Sequence, residues 1–141
     1  MYQRFLVPID GSDHSIHAVK TSITLIHNLK ASVSVTLLHV NHTPPMMDNY
    51  DVTIDIEDEV EREGHEGVHS VAEKLRDAGI RCEVITRKGD PAHQICEIAN
   101  NGHYDMVIMG SRGLGRVSEL VLGSVSRHVV QHVNCPVIIT K

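Results

Sequence analysis

Short apolar runs and amphipathic stretches alternate along the whole chain. Phe5-Leu6-Val7-Pro8-Ile9 is long enough for a buried strand, and Asp10-Gly11-Ser12-Asp13 follows as a turn in which Ser12 or Asp13 caps a helix. Ile16, Val19, Ile23 and Ile26 then recur at steps of three and four, one face of that helix. Val33 to Val40 is β-branched and apolar almost throughout, the pattern of a second buried strand, and the polar Asn41 to Thr53 stretch with Pro44-Pro45 is a loop. Ile56, Val60, Val68, Val71 and Leu75 mark a charged, amphipathic helix that Gly79 ends. Ile80 to Arg87 alternates apolar and polar residues, as a strand near a sheet edge does. Asp90 and Pro91 start a helix whose inner face carries Ile95, Ile98 and Ala99. Met106 to Met109 is a buried strand, and a glycine-rich stretch runs from Gly110 to Gly123. Ser124 opens a last helix with Val125, Val129, Val130 and Val133, and Pro136 to Thr140 is a final strand. Strands alternating with helices predict an α/β fold: a parallel sheet with right-handed crossovers and helices on both faces.

Composition narrows the function. With 141 residues, the chain is sized for one domain, spanning 1–141. Hydrophobic residues are 41% and charged residues 22%, ordinary globular usage. A net charge of −5 and an aromatic content of 3% without tryptophan argue against a nucleic-acid-binding surface, whether basic or built on base stacking. The three cysteines, Cys82, Cys96 and Cys135, form no C-x-x-C pair and suit a reducing compartment. No apolar run approaches the ~18 residues of a membrane span, so the expected location is the cytoplasm, away from membranes.

In an open parallel sheet, ligands bind beyond the carboxyl ends of the strands where strand order reverses. Two segments follow such strands: Asp10-Gly11-Ser12, and the stretch from Gly110 to the helix at Ser124. Glycines let backbone N–H groups approach an anion closely, and a helix's first turn offers unpaired N–H groups with partial positive charge. Ser124, Val125 and Ser126 supply three such N–H groups and two hydroxyls, and Arg112 adds a charged donor. The segment is neither a Walker A loop nor a G-x-G-x-x-G turn. The same residues also suit a plain glycine-rich connection leading into a serine-capped helix.

Taken together, Phe5 to Ser12, the strand Leu37-Leu38-His39-Val40, Asp105 to Ser111, Leu122 to Ser126 and Asn134-Cys135-Pro136-Val137 resemble the universal stress protein family over the whole chain. The specific part is G-x2-G-x9-G-[ST], filled by Gly110, Gly113, Gly123 and Ser124, the pattern of the ATP-binding branch. The resemblance implies a Rossmann-like sheet of five parallel strands in the order 3-2-1-4-5. It implies ATP or AMP as ligand, with adenine against Pro8, Ile9 and Val40 and ribose near Gly110 and Gly113. The phosphates would lie on Gly123, Ser124, Val125 and Ser126, with Mg²⁺ accompanying the nucleotide at Asp10, the family's acidic residue near ribose and phosphates. It also implies a homodimer through Pro136 to Thr140, whose apolar edge otherwise invites uncontrolled pairing.

Other residues have blander readings. Asp10 equally suits the cap of the following helix. His65 and His69 share a helix face, but H-E-x-x-H is absent, and surface histidines are the simpler reading. His14 and His17 are read as a solvated helix face, Cys96 as a small core residue, and Glu57 to Glu66 as a solvated acidic face. A Walker lysine and an evident general base are both missing, so a nucleotide-binding regulator acting through a protein partner is favoured over a slow ATPase or phosphotransferase, or a structural dimer with an empty site.

Overall fold

The apolar runs become five strands and the amphipathic stretches become helices. The computed structural model describes residues 2–41, 67–111 and 122–141. In chain order these are β1 (Tyr2–Ile9), α1 (Asp13–Leu29), β2 (Ser32–Asn41), α2 (helical over 67–77), β3 (Arg81–Lys88), α3 (Pro91–Asn101), β4 (Met106–Gly110), α4 (Ser124–His132) and β5 (Val137–Thr140). All pairings are parallel, and the sheet runs β3-β2-β1-β4-β5, so β3 and β5 are its edges. Asn41, expected as the first residue of the polar loop, is instead the last of β2 and pairs with Lys88. The remainder of that loop, Ile56, Val60, His65, the acidic run Glu57 to Glu66, Arg112 and Gly113 lie outside the described residues.

The sheet's two faces bury different residues because strand side chains alternate. On one face Phe5, Val7, Val35, Leu37 and Ile108 pack beneath α1 and α2, meeting Val19, Ile26, Ala72 and Leu75. On the other, Leu6, Leu38, Val107 and Met109 meet Ile95 and Ala99 of α3 and Val129 of α4. Cys96 is in this second core, as its position on α3 predicts. Val130 is not: it is 46% exposed, since only Val129 of that pair falls on the inward stripe.

Local chemistry sets the helix ends. The Ser12 hydroxyl accepts from the Ser15 N–H at 3.2 Å, and the Asp90 carboxylate accepts from the His93 N–H at 2.9 Å, with Pro91 in the first turn of α3. Gly79 closes α2 at φ +78°, a conformation that costs glycine nothing. At α4 the cap is Gly123, with no side-chain cap bond, and Ser124 is the first helical residue.

The two central strands separate toward their carboxyl ends. β1 pairs with β2 over eight residues but with β4 only at Phe5↔Met106 and Leu6↔Val107. The Asp105 N–H donates to the Arg4 carbonyl at 2.8 Å, so Arg4 and, by alternation, Leu6 and Pro8 direct their backbone groups toward β4. Pro8 has no N–H to donate on that side, and the ladder stops before it. The gap opens where strand order reverses, the place expected of a ligand site.

Candidate functional site

A cleft of about 570 Å³, mouth included, occupies this gap on the α3–α4 side of the sheet. Pro8 and Ile9 of β1, Leu38 and Val40 of β2, and Met109 and Gly110 of β4 contribute the strand surface. Pro91 and Ile95 enter from α3, Val125 and Ser126 from α4, and Asp10 and Ser15 from the turn after β1 and the start of α1. Of the residues expected from sequence, Pro8, Ile9, Asp10, Val40, Gly110, Val125 and Ser126 converge here. Gly123 and Ser124 adjoin it as the cap and first residue of α4.

One end of the cleft is apolar and carries a directed acceptor. The Asn41 carbonyl accepts from the Gly89 N–H at 3.0 Å and so faces β3. Alternation turns the Val40 carbonyl to the opposite side, toward β1, whose register ends at Ile9↔His39. That carbonyl therefore points past the end of β1 into the cleft.

The other end is the N-terminus of α4. The Arg127 N–H is the first to close a helical turn, onto the Gly123 carbonyl at 3.0 Å. The N–H groups of Ser124, Val125 and Ser126 precede that ladder and carry the helix's partial positive charge. The Gly123 N–H is not part of this set, because it donates to the Ser111 carbonyl at 2.8 Å. Gly123 has φ −59°, so its identity does not come from a left-handed backbone.

Two expected donors have other partners. The Ser126 hydroxyl is buried and sits 3.0 Å from the Gly110 carbonyl and 2.9 Å from the Ser111 carbonyl, so only its N–H faces the helix end freely. Gly110 is also a packing residue: a Cβ there would lie 2.7 Å from the His14 Cβ and 2.8 Å from its carbonyl carbon. Its lack of a side chain lets α1 cross β4 closely.

Asp10 does not cap α1, whose cap is Ser12. Its Oδ1 accepts from the Ser12 N–H at 2.9 Å, which holds the turn into α1, and the residue is exposed where it lines the cleft. Among the described residues no three His, Cys, Asp or Glu side chains cluster as metal ligands. His17 is exposed as expected, and His69 pairs with Glu73 at 3.4 Å. His14 departs from the solvated reading: it is partly buried against Gly110, and its Nδ1 is buried without a partner. Burial pushes the thiols of Cys82, Cys96 and Cys135 above their ordinary range, which disfavours the nucleophilic thiolate.

Sequence reasoning missed Ser15, Leu38, Pro91, Ile95 and Met109 as lining residues. Leu38 was legible, since it shares a strand face with Val40. Pro91 and Ile95 share a helix face, but only the placement of α3 brings them to the cleft.

The family model for the universal stress protein family matches residues 1–141. The chain belongs to the universal stress protein family. Universal stress protein YxiE of Bacillus subtilis is 33% identical, with 100% of both chains covered. The solved structure of MJ0577, a universal stress protein of Methanocaldococcus jannaschii, superposes with a TM-score of 0.87 at 28% identity, covering 100% of this chain and 96% of that one. A family member from Arabidopsis thaliana, solved with AMP bound, shares the fold at a TM-score of 0.69 and 21% identity, covering 99% of this chain and 91% of that one. The universal stress protein fold here is the expected Rossmann-like sheet, with strands in the order 3-2-1-4-5 and helices on both faces. Among the described residues, no helix is long and apolar enough to cross a membrane.

Proposed function

We propose that this universal stress protein binds an adenine nucleotide, ATP or AMP, and acts as a cytoplasmic regulator through a protein partner. The observation that carries the reading is the pairing, within one cleft, of an apolar end bearing the Val40 carbonyl and a polar end formed by the α4 N-terminus. A lone carbonyl among apolar side chains accepts from the exocyclic amino group of adenine, whereas the carbonyl oxygen at the same position of guanine meets it acceptor to acceptor. The N–H groups of Ser124, Val125 and Ser126, which have no partner among the described residues, suit phosphate. Arg112 and Gly113, expected beside ribose and phosphate, lie outside the described residues. The AMP-bound Arabidopsis relative shows that a member of this family takes such a ligand.

The exposed carboxylate of Asp10, which lines the cleft, fits Mg²⁺ carried with the nucleotide. Magnesium keeps several waters and takes one or two carboxylates besides phosphate oxygens, so one carboxylate at the mouth is enough. Asp10 would hold the ion, which would neutralise phosphate charge. Slow turnover is the second reading. Phosphoryl transfer needs a clamp and a positioned nucleophile besides the metal, and among the described residues the cleft lining includes neither lysine nor histidine.

Protein purified without added nucleotide should release ATP, ADP or AMP on denaturation, identified by chromatography and mass. A clean protein that also gives no calorimetric signal with ATP and Mg²⁺ would overturn the reading. Steady-state ATPase should run far below the ~10 s⁻¹ typical of enzymes. A rate near that value, lost in Asp10→Ala, would make this an enzyme instead.

A further inference from the structure

The parting of β1 from β4 leaves a polar group behind. The Val107 N–H donates to Pro136 and the Ser111 N–H to Thr140, so odd-numbered residues of β4 face β5 and the Gly110 carbonyl faces β1. β1 has already diverged there, its last pair with β4 being Leu6↔Val107. The Ser126 hydroxyl stands in for the missing strand, 3.0 Å from that carbonyl. We propose that Ser126 is a positioning residue for the phosphate end of the cleft: its hydroxyl fixes the first turn of α4 to the end of β4 and does not meet the ligand itself. The proposal rests on the nucleotide reading above and assigns the part this one side chain plays in it.

Three observations converge on the role. Ser126 is 3% exposed, and among the described residues its single hydroxyl proton serves only the Gly110 and Ser111 carbonyls. Turning it toward a phosphate would strip the Gly110 carbonyl of this donor, the costly side of hydrogen-bond exchange. Ser111 is in turn held from both directions: its N–H donates to the Thr140 carbonyl at 2.8 Å, and its carbonyl takes the Gly123 N–H at 2.8 Å. The cap of α4, the end of β4 and the end of β5 thus form one hydrogen-bonded unit, and Ser126 is the only α4 side chain bonded into it among the described residues. A helix's N–H groups reward an anion only if they are aimed before it arrives.

The test compares wild type with Ser126→Ala by calorimetry with ATP and with adenosine, and by amide hydrogen exchange on nucleotide-free protein. ATP affinity should fall about tenfold or more, the loss expected when a buried acceptor is orphaned. Adenosine affinity should stay unchanged, and exchange at the Gly123 and Arg127 amides should quicken before any ligand is added. Should Ser126→Ala fail to fold, Ser126→Cys, of similar size and weaker as a donor, is read in the same way. Lower ATP affinity with unchanged exchange in the free protein would make Ser126 a direct phosphate donor and overturn the proposal. So would unchanged ATP affinity, or an equal loss for adenosine. Failure of wild type to bind either ligand would instead strike the nucleotide reading itself.

Discussion

The phenol of Tyr104 donates to the hydroxyl of Thr36 at 2.9 Å, tying the segment before β4 to the middle of β2. Thr36 passes its own proton to Glu83 of β3 at 3.0 Å, and the Arg4 guanidinium lies 4.5 Å over the Tyr104 ring while donating to the Gly102 carbonyl. This network joins three strands near the end of the sheet opposite the cleft. It belongs to stability and not to binding.

Tyr104→Phe keeps the ring and removes one buried donor. Stability should drop by about 0.5–1.5 kcal/mol. Urea denaturation should show a lower midpoint at constant slope, and ATP affinity should be unchanged. A loss of nucleotide binding at equal foldedness would contradict the separation of the two ends.

Gly110→Ala puts a methyl group against the backbone of His14, 2.8 Å from its carbonyl carbon and 2.9 Å from its oxygen. A backbone neighbour yields less readily than a side chain, so the expected cost is about 1–3 kcal/mol. Thermal melts of the nucleotide-free protein should already show it. An unaltered melt with weakened ATP binding would move Gly110 from packing to ligand contact alone.

At Asp10 the two roles come apart by substitution. Asp10→Asn retains an acceptor for the Ser12 N–H, so stability should hold within ~0.5 kcal/mol while the Mg²⁺-dependent part of ATP affinity is lost. Asp10→Ala should lose that part too and, in addition, about 1 kcal/mol of stability. Calorimetry with ATP, with and without Mg²⁺, alongside denaturation of both variants checks the split. Equal Mg²⁺ dependence in wild type and Asp10→Asn would remove Asp10 as the metal carboxylate.

A homodimer through Pro136 to Thr140 is expected from the uncharged edge of β5. Ile138 packs on the core beneath α1 and Ile139 on the other core, so a charged side chain at either tests packing before pairing, and the backbone is the better target. The Pro136 and Thr140 carbonyls face β4, which leaves the backbone of Val137 and Ile139 facing outward. Ile139→Pro deletes an outward N–H without touching the β4 ladder, and sedimentation velocity should then show monomer where wild type shows dimer. Wild-type monomer at high concentration would refute the interface.

Much of this molecule is legible in its sequence because its periodicities are clean. Val33 to Val40 and Met106 to Met109 have no competing helical pattern, and Ser12 and Asp90 cap where their side chains and following residues say they should. Ser126 was harder to read. It stands three residues before Val129, on the inward face of α4, yet a serine beside a glycine invites a ligand role. The cleft itself was half visible: Pro8 is in the sequence, but its consequence depends on which neighbour its imide nitrogen faces. That is a property of register, and periodicity does not carry it.

The two edges of the sheet are chemically unlike. β3 is a charged edge, carrying Arg81, Glu83 and Arg87, whereas β5 carries no charge between Val137 and Thr140. A sheet adhesive along both rims would add copies side by side without end, as a ribbon does. In the homodimer expected through β5, one edge is open to pairing and the other is charged, so growth would stop after a single like-with-like pairing about a twofold axis. On that reading the charges of the far strand would set the size of the assembly from the side that does not pair.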